Sequence, residues 1–258
     1  MIFEVEKKKV FASDVGNSFD PKKETLIILH GSGQSHVVWS LTDQYLSNEG
    51  FNIFTLDLPG HGNSEGESLN TIEEMAEWLD KVIVKIGIKN LSILAHSQGC
   101  LIALEYANKF NDKIKKIIFV AGSYEIPVNK NLIELANSGD LESLNLMMKW
   151  GYGYSKQFIG GNPLQKILNS SREVREVLAV DLKACNNYKN GLNAVKKINC
   201  PTLLIFGELD KMIKLDKGKE FAKLISGASM HIVKDCGHMI ILENPFEMRE
   251  KVANFLNK

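Results

Sequence analysis

The sequence predicts an α/β fold, in which a mostly parallel sheet of eight strands is flanked by helices. Short apolar runs such as Thr25–Leu29 and Thr202–Phe206 are typical of strands that are buried on both faces of a parallel sheet. Helical patterns alternate with these runs along most of the chain. Strand patterns disappear between Gly122 and Asn199, so a helical insertion interrupts the alternation.

The first quarter of the chain contains four predicted strands. Ile2–Lys7 and Lys9–Ser13 form a predicted hairpin at one edge of the sheet, and Thr25–Leu29 is the third strand. A helix is expected over Val38–Ser47, with Gly50 after its end. Asn52–Leu56 is the fourth strand.

The segment from Thr71 to Ile86 is the clearest amphipathic helix. Thr71 and Glu74 have the spacing of a capping box, which marks the start of a helix. Its apolar residues fall on one face, which predicts packing against the core rather than a cofactor site. They are Met75, Trp78, Leu79, Val82 and Ile86.

The remaining elements divide the chain into two predicted parts. Residues 1–122 and 200–258 carry the strands, and residues 123–199 form the helical insertion. Further strands are expected at Leu91–Ala95, Lys115–Ala121, Thr202–Phe206 and Met230–Lys234. Helices are expected at 98–108, 132–138, 141–150, 163–168, 173–185 and 215–225, and a last one opens with Asn244-Pro245.

The insertion is rich in methionine and aromatic residues, which suits a lid over an apolar pocket. Ordinary packing between helices is the alternative, and we expect it for most of these side chains, with one or two lining a pocket. The residues are Met147, Met148, Trp150, Tyr152, Tyr154 and Phe158.

Composition and charge exclude several classes of protein. Lys+Arg and Asp+Glu each number 31, and this balance argues against a nucleic-acid or anionic-membrane partner. No apolar run is long enough to span a bilayer, and Met1–Val10 does not resemble a secretory signal. The four cysteines are widely spaced, which favours free thiols in a reducing cytoplasm over a disulfide or zinc framework.

A strand, a tight turn and a helix meet at Ser97. Ala95-His96-Ser97-Gln98-Gly99 matches the G-x-S-x-G nucleophile elbow, with Ala95 in place of the first glycine. Small residues are needed two positions before and after the serine because a larger side chain would strike the neighbouring backbone. The N–H groups at the start of the helix would point at an oxyanion on a bound substrate.

Two further loops follow strands. His30-Gly31-Ser32-Gly33-Gln34-Ser35 fits half of an oxyanion hole or an ordinary strand-to-helix turn. Asp57-Leu58-Pro59-Gly60-His61-Gly62 is a predicted fixed loop. In it, His61 is a structural histidine rather than a catalytic base.

Three chemically complementary residues follow three predicted parallel strands. Ser97, Asp210 and His238 would therefore meet at the carboxyl edge of the sheet, where ligands bind in open parallel sheets. A serine hydroxyl needs a base to remove its proton, and a histidine acts as that base when a carboxylate fixes its tautomer. Glu208 lies two residues before Asp210 and is the rival carboxylate.

The sequence resembles the α/β-hydrolase fold superfamily over essentially its whole length. The resemblance rests on five motifs in order: His30-Gly31, Asp57–Ser64, the Ser97 elbow, Gly207-Glu208-Leu209-Asp210, and Gly237-His238 with Glu243-Asn244-Pro245. Ala95 is the one departure.

The resemblance implies a role for each matching residue. Ser97 would be the nucleophile, Asp210 the orienting carboxylate and His238 the base. The backbone N–H groups of Ser32 and Gln98 would form the oxyanion hole, with Gly33 as the alternative to Ser32. The resemblance also makes residues 123–199 a cap domain, and no cofactor or metal is expected.

The expected function is hydrolysis (EC 3), most like that of a carboxylesterase. A small to medium apolar ester would form an acyl-enzyme on Ser97. A C–C bond hydrolase, a thioesterase or another acyl-group hydrolase on the same residues is the alternative. A non-catalytic receptor for a small ligand and a metal-dependent hydrolase using Asp57 and His61 have less support. We expect a cytoplasmic monomer or homodimer with a small-molecule acyl substrate.

Four other side chains near these motifs are assigned no catalytic role. Asp235 precedes the histidine too closely to pair with it, and His96 should point away from the site. His231 falls within a strand, and Cys100 follows the elbow on the helix, where packing is expected.

Overall fold

The computed structural model describes residues 1–153 and 172–258, with the side chains of the second range described from residue 177 onward. Within this part, eight strands form one sheet in the order β1-β2-β4-β3-β5-β6-β7-β8. The strands are β1 (Ile2–Val5), β2 (Lys8–Ser13), β3 (Thr25–Leu29), β4 (Asn52–Leu56), β5 (Leu91–His96), β6 (Ile114–Val120), β7 (Thr202–Gly207) and β8 (Ser229–Val233).

Helices lie in every connection from β3 to β8, and two more follow β8. They are α1 (Asp43–Asn48), α2 (Ile72–Ile86), α3 (Gln98–Phe110), α4 (Lys130–Asn137), α5 (Glu142–Gly151), α6 (Arg172–Asn187), α7 (Gly191–Val195), α8 (Leu215–Leu224), α9 (Ile240–Glu243) and α10 (Pro245–Leu256). Short 3₁₀ turns lie at His36–Trp39 and Asn111–Lys113.

The sheet is mostly parallel, as predicted. β1 and β2 pair antiparallel, β2 pairs antiparallel with β4, and every pairing from β4 through β8 is parallel. β3 lies between β4 and β5, so the chain crosses from one half of the sheet to the other here. Ligands bind at such a switch point, beyond the carboxyl ends of the strands.

Hydrophobic side chains are buried on both faces of the sheet. Successive residues of a strand point to opposite faces. Ile27 and Leu29 therefore pack with α2 and α3, whereas Leu26 and Ile28 pack on the other face. This burial on both faces explains why the parallel strands have continuous apolar sequences.

Some predicted boundaries of strands and helices differ from the structure because local turns end the elements earlier or divide them. Glu6 and Lys7 have φ angles of 50° and 64°, and the turn that they form ends β1 at Val5. The helix predicted over Val38–Ser47 is instead a 3₁₀ turn followed by α1. The N–H of Thr42 bonds to the carbonyl of Trp39 at 2.7 Å, and this closes the 3₁₀ turn before α1 starts.

The start of α2 confirms the predicted capping box. The Thr71 side chain accepts a hydrogen bond from the N–H of Glu74, and the Glu74 carboxylate accepts the N–H of Thr71. Two of the N–H groups that a helix start leaves unpaired are thus satisfied.

The described part of the insertion is helical. Helices α4 to α7 lie between β6 and β7, and α6 runs slightly further in both directions than the predicted 173–185. The helix predicted at 163–168 lies outside the described residues. The division into a core and a cap over residues 123–199 stays a prediction. In the part of the chain that the structure describes, none of the helices combines the length and apolar character that crossing a bilayer requires.

Candidate active site

The carboxyl edge of the sheet brings together the side chains that the motifs singled out. Ser97 follows β5, Asp210 follows β7 and His238 follows β8. The loop that contains Ser32 follows β3, the neighbour of β5 in the sheet. Parallel pairing therefore places segments that are more than a hundred residues apart in sequence around one point.

Ser97 occupies a strained turn between β5 and α3. Its φ and ψ angles are 52° and −118°, a region that residues with a side chain rarely adopt. A Cβ on Gly99 would lie only 2.8 Å from the carbonyl oxygen of His30, so a larger residue does not fit there. Ala95 is fully buried, and its methyl group is accommodated in the sheet.

His238 and Asp210 form a buried pair. Nδ1 of His238 donates to Oδ2 of Asp210 at 2.9 Å, and the two residues are 3% and 6% exposed. The other carboxylate oxygen of Asp210 accepts the N–H groups of Met212 and Ile213, each at 2.8 Å. The carboxylate is thereby held in place to orient the imidazole.

Glu208, the rival carboxylate, has another partner. Its side chain accepts the backbone N–H of Asp235 at 3.2 Å. Asp210 is therefore the carboxylate that contacts His238.

The second nitrogen of His238 faces the same cavity as the serine. Among residues 1–153 and 172–258, Nε2 of His238 makes no hydrogen bond, and both His238 and Ser97 line the cavity. A neutral imidazole that donates through Nδ1 carries its lone pair on Nε2. This arrangement can accept a proton from a hydroxyl in the cavity.

The backbone N–H groups of Ser32 and Gln98 find no acceptor among the described residues. Ser32 also lines the cavity beside Ser97. The N–H of Gly33, the alternative donor, instead bonds to Oδ2 of Asp181 at 2.7 Å. Sequence reasoning could not foresee this, because Asp181 reaches the loop from a helix 148 residues away.

His96 points away from the cavity and contacts the backbone of His238, the predicted base. Nε2 of His96 bonds to the backbone carbonyl of His238 at 3.0 Å, and the two rings lie 5.0 Å apart. Burial lowers the pKa of His96 to about 3, so the ring is neutral and donates through Nε2. The motif placed His96 next to the serine without revealing this contact.

Glu243 is a second residue whose role the sequence did not reveal. Its carboxylate accepts the N–H of Gly237, next to His238, at 2.8 Å, and the N–H of Gly153 at 3.0 Å. The carboxylate thus joins the end of α5 to the loop that carries His238.

An apolar cavity of about 480 Å³ opens from Ser97 and His238. A smaller pocket shares Ser32, Ser97, His238, Met147 and Met212 with it. The remaining lining of the larger cavity is mostly aliphatic and aromatic: Ile126, Pro127, Val128, Asn129, Leu132, Trp150, Leu182, Cys185, Lys211 and Ile213.

The methionine and aromatic residues of the insertion have different locations. Met147 and Trp150 line the cavity, and Tyr152 is buried among core side chains. Tyr154 and Phe158 lie outside the described residues.

The remaining candidates are held by other contacts. The Asp57 carboxylate binds the ring and the N–H of His36 and the N–H of Asn63. His61 contacts Pro59 and Asp181, so Asp57 and His61 do not converge on one point as metal ligands would.

Two more side chains with no predicted role are engaged elsewhere. His231 bonds to Glu247 at 2.7 Å. The Cys100 thiol donates to the Ala95 carbonyl, and burial raises its pKa.

A model of the alpha/beta hydrolase fold family matches residues 24–180, which is more than half of the chain. The chain belongs to this family, which confirms the superfamily predicted from the sequence. The protein is therefore a hydrolase of the α/β type.

Relatives and solved structures agree with this assignment. The chain is 25% identical to a 2-hydroxy-6-oxononadienedioate/2-hydroxy-6-oxononatrienedioate hydrolase of Klebsiella pneumoniae, over 96% of this chain and 91% of the relative. An esterase from Exiguobacterium antarcticum superposes with a TM-score of 0.84 at 19% identity, covering 100% and 98% of the two chains. The enol-lactonase from Burkholderia xenovorans superposes with a TM-score of 0.80 at 19% identity, covering 100% of both chains. The likeness to these two structures concerns the fold alone.

Proposed function

We propose that the protein is a serine hydrolase that cleaves small to medium apolar carboxylic esters through an acyl-enzyme on Ser97. One observation carries the proposal: the strained Ser97 and the Asp210-oriented His238 line the same apolar cavity. The substrate is a small molecule. The cytoplasmic location and the monomeric or dimeric state stay predictions.

The first half of the reaction forms the acyl-enzyme. Nε2 of His238 takes the proton from Oγ of Ser97 as Oγ attacks the ester carbonyl, and a tetrahedral oxyanion forms. The N–H groups of Ser32 and Gln98 stabilise this oxyanion. When the C–O bond to the alcohol breaks, His238 returns the proton to the leaving oxygen.

The second half releases the acid. His238 removes a proton from water, the hydroxide oxygen attacks the acyl carbon, and Ser97 leaves with the proton that His238 gives back. Asp210 stabilises the imidazolium in both halves through the 2.9 Å contact with Nδ1.

The cavity supports an apolar acyl group. Its volume of about 480 Å³ lies within the range of small-molecule sites, and its walls are mainly aliphatic and aromatic. Among the described lining residues, Lys211 is the one lysine, arginine, aspartate or glutamate.

Stopped-flow release of p-nitrophenol from acetyl, butyryl and octanoyl esters tests the proposal. We expect a burst of p-nitrophenol in the wild type, and Ser97→Ala should lower kcat by about 10,000-fold or more and abolish the burst. Ser123→Ala is the matched control, because Ser123 is a buried serine outside the cavity, and its burst should be unchanged. Residual activity of a few per cent in Ser97→Ala would place the nucleophile elsewhere.

Carbon–carbon bond hydrolysis on the same residues is the second candidate. The observation in its favour is the 25% identity, over 96% of this chain, to a hydrolase that acts on 2-hydroxy-6-oxononadienedioate. Loss of the absorbance of that dienedioate, measured with wild type and Ser97→Ala, separates the two candidates. Turnover of the dienedioate without ester release would favour the second. Activity on neither would favour a ligand receptor.

A further inference from the structure

Asp181 is a buried carboxylate that the proposed mechanism does not use. Asp181 lies on α6 and is 0% exposed, and its helix neighbours Leu178 and Leu182 belong to the hydrophobic core. Its Oδ2 atom accepts two hydrogen bonds, from the N–H of Gly33 at 2.7 Å and from Nε2 of His61 at 2.9 Å. A carboxylate is costly to bury, so its partners decide what it contributes.

The geometry around His61 indicates that Asp181 faces a positive charge. Nδ1 of His61 lies 2.9 Å from the carbonyl oxygen of Pro59, and Nε2 lies 2.9 Å from Oδ2 of Asp181. Because a carbonyl and a carboxylate only accept hydrogen bonds, both ring nitrogens must donate, and the ring is an imidazolium. Asp181 also raises the pKa of His61, although burial opposes this.

The neighbouring His30 shows the opposite arrangement. Its Nδ1 faces the carbonyl of Gly31 at 2.9 Å, whereas its Nε2 accepts the N–H of Leu58 at 3.2 Å. One nitrogen donates and the other accepts, so this ring is neutral. Burial, together with the charge on His61, lowers the pKa of His30 to about 4.

The Asp181 carboxylate is hydrogen-bonded to the loop that supplies one proposed oxyanion donor, the N–H of Ser32. Gly33 follows Ser32, has a φ angle of +65° and donates its N–H to Asp181 on α6. This bond fixes the Ser32–Gly33 peptide, while the preceding N–H, that of Ser32, stays without a described acceptor. Leu178 packs on the same turn, since a Cβ on Gly33 would lie 3.1 Å from its Cδ1.

Asp181 also approaches the other side of the proposed oxyanion hole. Its backbone carbonyl accepts the side-chain Nε2 of Gln98 at 3.5 Å. Gln98 is the residue whose backbone N–H is the second proposed donor. One residue of α6 thus contacts both segments that would surround the oxyanion.

We propose that Asp181 is a positioning residue, whose carboxylate, held by His61, keeps Gly33 and therefore the Ser32 N–H in the orientation that binds the oxyanion. The inference rests on the proposed serine-hydrolase function. Since the oxyanion exists only in the transition state and the intermediate, loss of Asp181 lowers kcat and leaves KM nearly unchanged.

The test compares Asp181→Ala and Asp181→Asn with Glu105→Ala. Glu105 is a buried carboxylate, 2% exposed, which binds Tyr188 and Asn190 next to α6 and makes no contact with the Ser32 loop. Its removal therefore disturbs the attachment of the insertion without touching the oxyanion hole. Kinetics with p-nitrophenyl butyrate are measured for each variant at least 15 °C below its own Tm.

We expect kcat of Asp181→Ala to fall by about 10- to 100-fold with KM changed by less than about threefold, a smaller loss than deletion of an oxyanion donor causes. Asp181→Asn keeps an acceptor for Gly33 but loses the charge that holds His61, so its kcat should be intermediate. Glu105→Ala should lower Tm with kcat unchanged. A wild-type kcat in Asp181→Ala, a change confined to KM, or an equal loss of kcat in Glu105→Ala would overturn the inference.

Reaction with an alkyl fluorophosphonate provides a readout that does not depend on ester turnover. Ser97 Oγ forms a bond to phosphorus, fluoride leaves, the proton passes to His238, and the phosphoryl oxygen occupies the oxyanion hole. The rate of labelling should fall about tenfold in Asp181→Ala and stay unchanged in Glu105→Ala. Equal labelling of the wild type, Asp181→Ala and Glu105→Ala would refute only the positioning role of Asp181. No labelling of the wild type would refute the proposed function itself.

Discussion

Two buried histidine–carboxylate pairs in this molecule have the same contact distance and different surroundings. His238 and Asp210 are 2.9 Å apart, and so are His61 and Asp181. In the first pair, the second ring nitrogen faces a cavity and has no described partner. In the second pair, that nitrogen bonds to the Pro59 carbonyl.

The difference shows that the pair alone does not make a general base. A base needs one nitrogen held by the carboxylate and the other free to accept a proton. His238 meets both conditions. His61 has both nitrogens directed at acceptors, so neither is available to take a proton, and the residue instead links the insertion to the loops of the sheet.

The largest expected effect that tests this comparison is the loss of turnover in the variant His238→Gln. Glutamine can still donate to Asp210, but it cannot accept a proton, so kcat for p-nitrophenyl butyrate should fall by about 10,000-fold. The protein should remain folded, because Asp210 keeps its bonds to Met212 and Ile213. Activity within tenfold of the wild type would show that another group acts as the base.

His61→Gln should show the reverse pattern. It removes the charged partner of a fully buried carboxylate, which costs about 3 kcal/mol in the free energy of unfolding. Urea denaturation followed by circular dichroism measures this, with His231→Gln, a change in a partly exposed pair, as the control. Turnover should decrease far less than in His238→Gln. An unchanged urea midpoint would mean that the His61–Asp181 pair does not stabilise the fold.

The smallest effect per residue concerns pH and the two buried neutral histidines, His30 and His96. Burial lowers the pKa of His30 to about 4 and of His96 to about 3, below the ordinary value of 6.5. The unfolded chain therefore binds protons below pH 6.5 that the folded protein excludes, and stability falls as the pH decreases from 6.5 toward 4. Each residue contributes up to about 1.4 kcal/mol per pH unit.

Urea unfolding at pH 6.5, 6.0, 5.5 and 5.0 measures this slope before the carboxylates titrate. His96→Asn should make the slope shallower. His61, with its raised pKa, acts in the opposite sense, because its stabilisation is present below pH 6.5 and is lost as the pH rises through its folded pKa. Constant stability between pH 6.5 and 5.0 would contradict the neutral state of the two buried rings.

The sequence by itself determined the sheet and the positions of Ser97, Asp210 and His238 along it. These features are local, since an apolar run specifies a buried strand and a tight turn requires a small residue such as Gly99. The boundaries that the sequence missed, such as the 3₁₀ turn at His36–Trp39, depend on single hydrogen bonds that composition does not encode.

Only the tertiary structure decided which partner each polar side chain has. Asp181, His96 and Glu243 looked like ordinary residues of helices or motifs, and their partners lie up to 148 residues away in sequence. It also decided that the Gly33 N–H is bonded to Asp181, whereas the Ser32 N–H has no acceptor within residues 1–153 and 172–258. The physical reason is that a hydrogen bond depends on distances of a few ångströms, which are set when separate helices and loops pack together and not by the residues on either side.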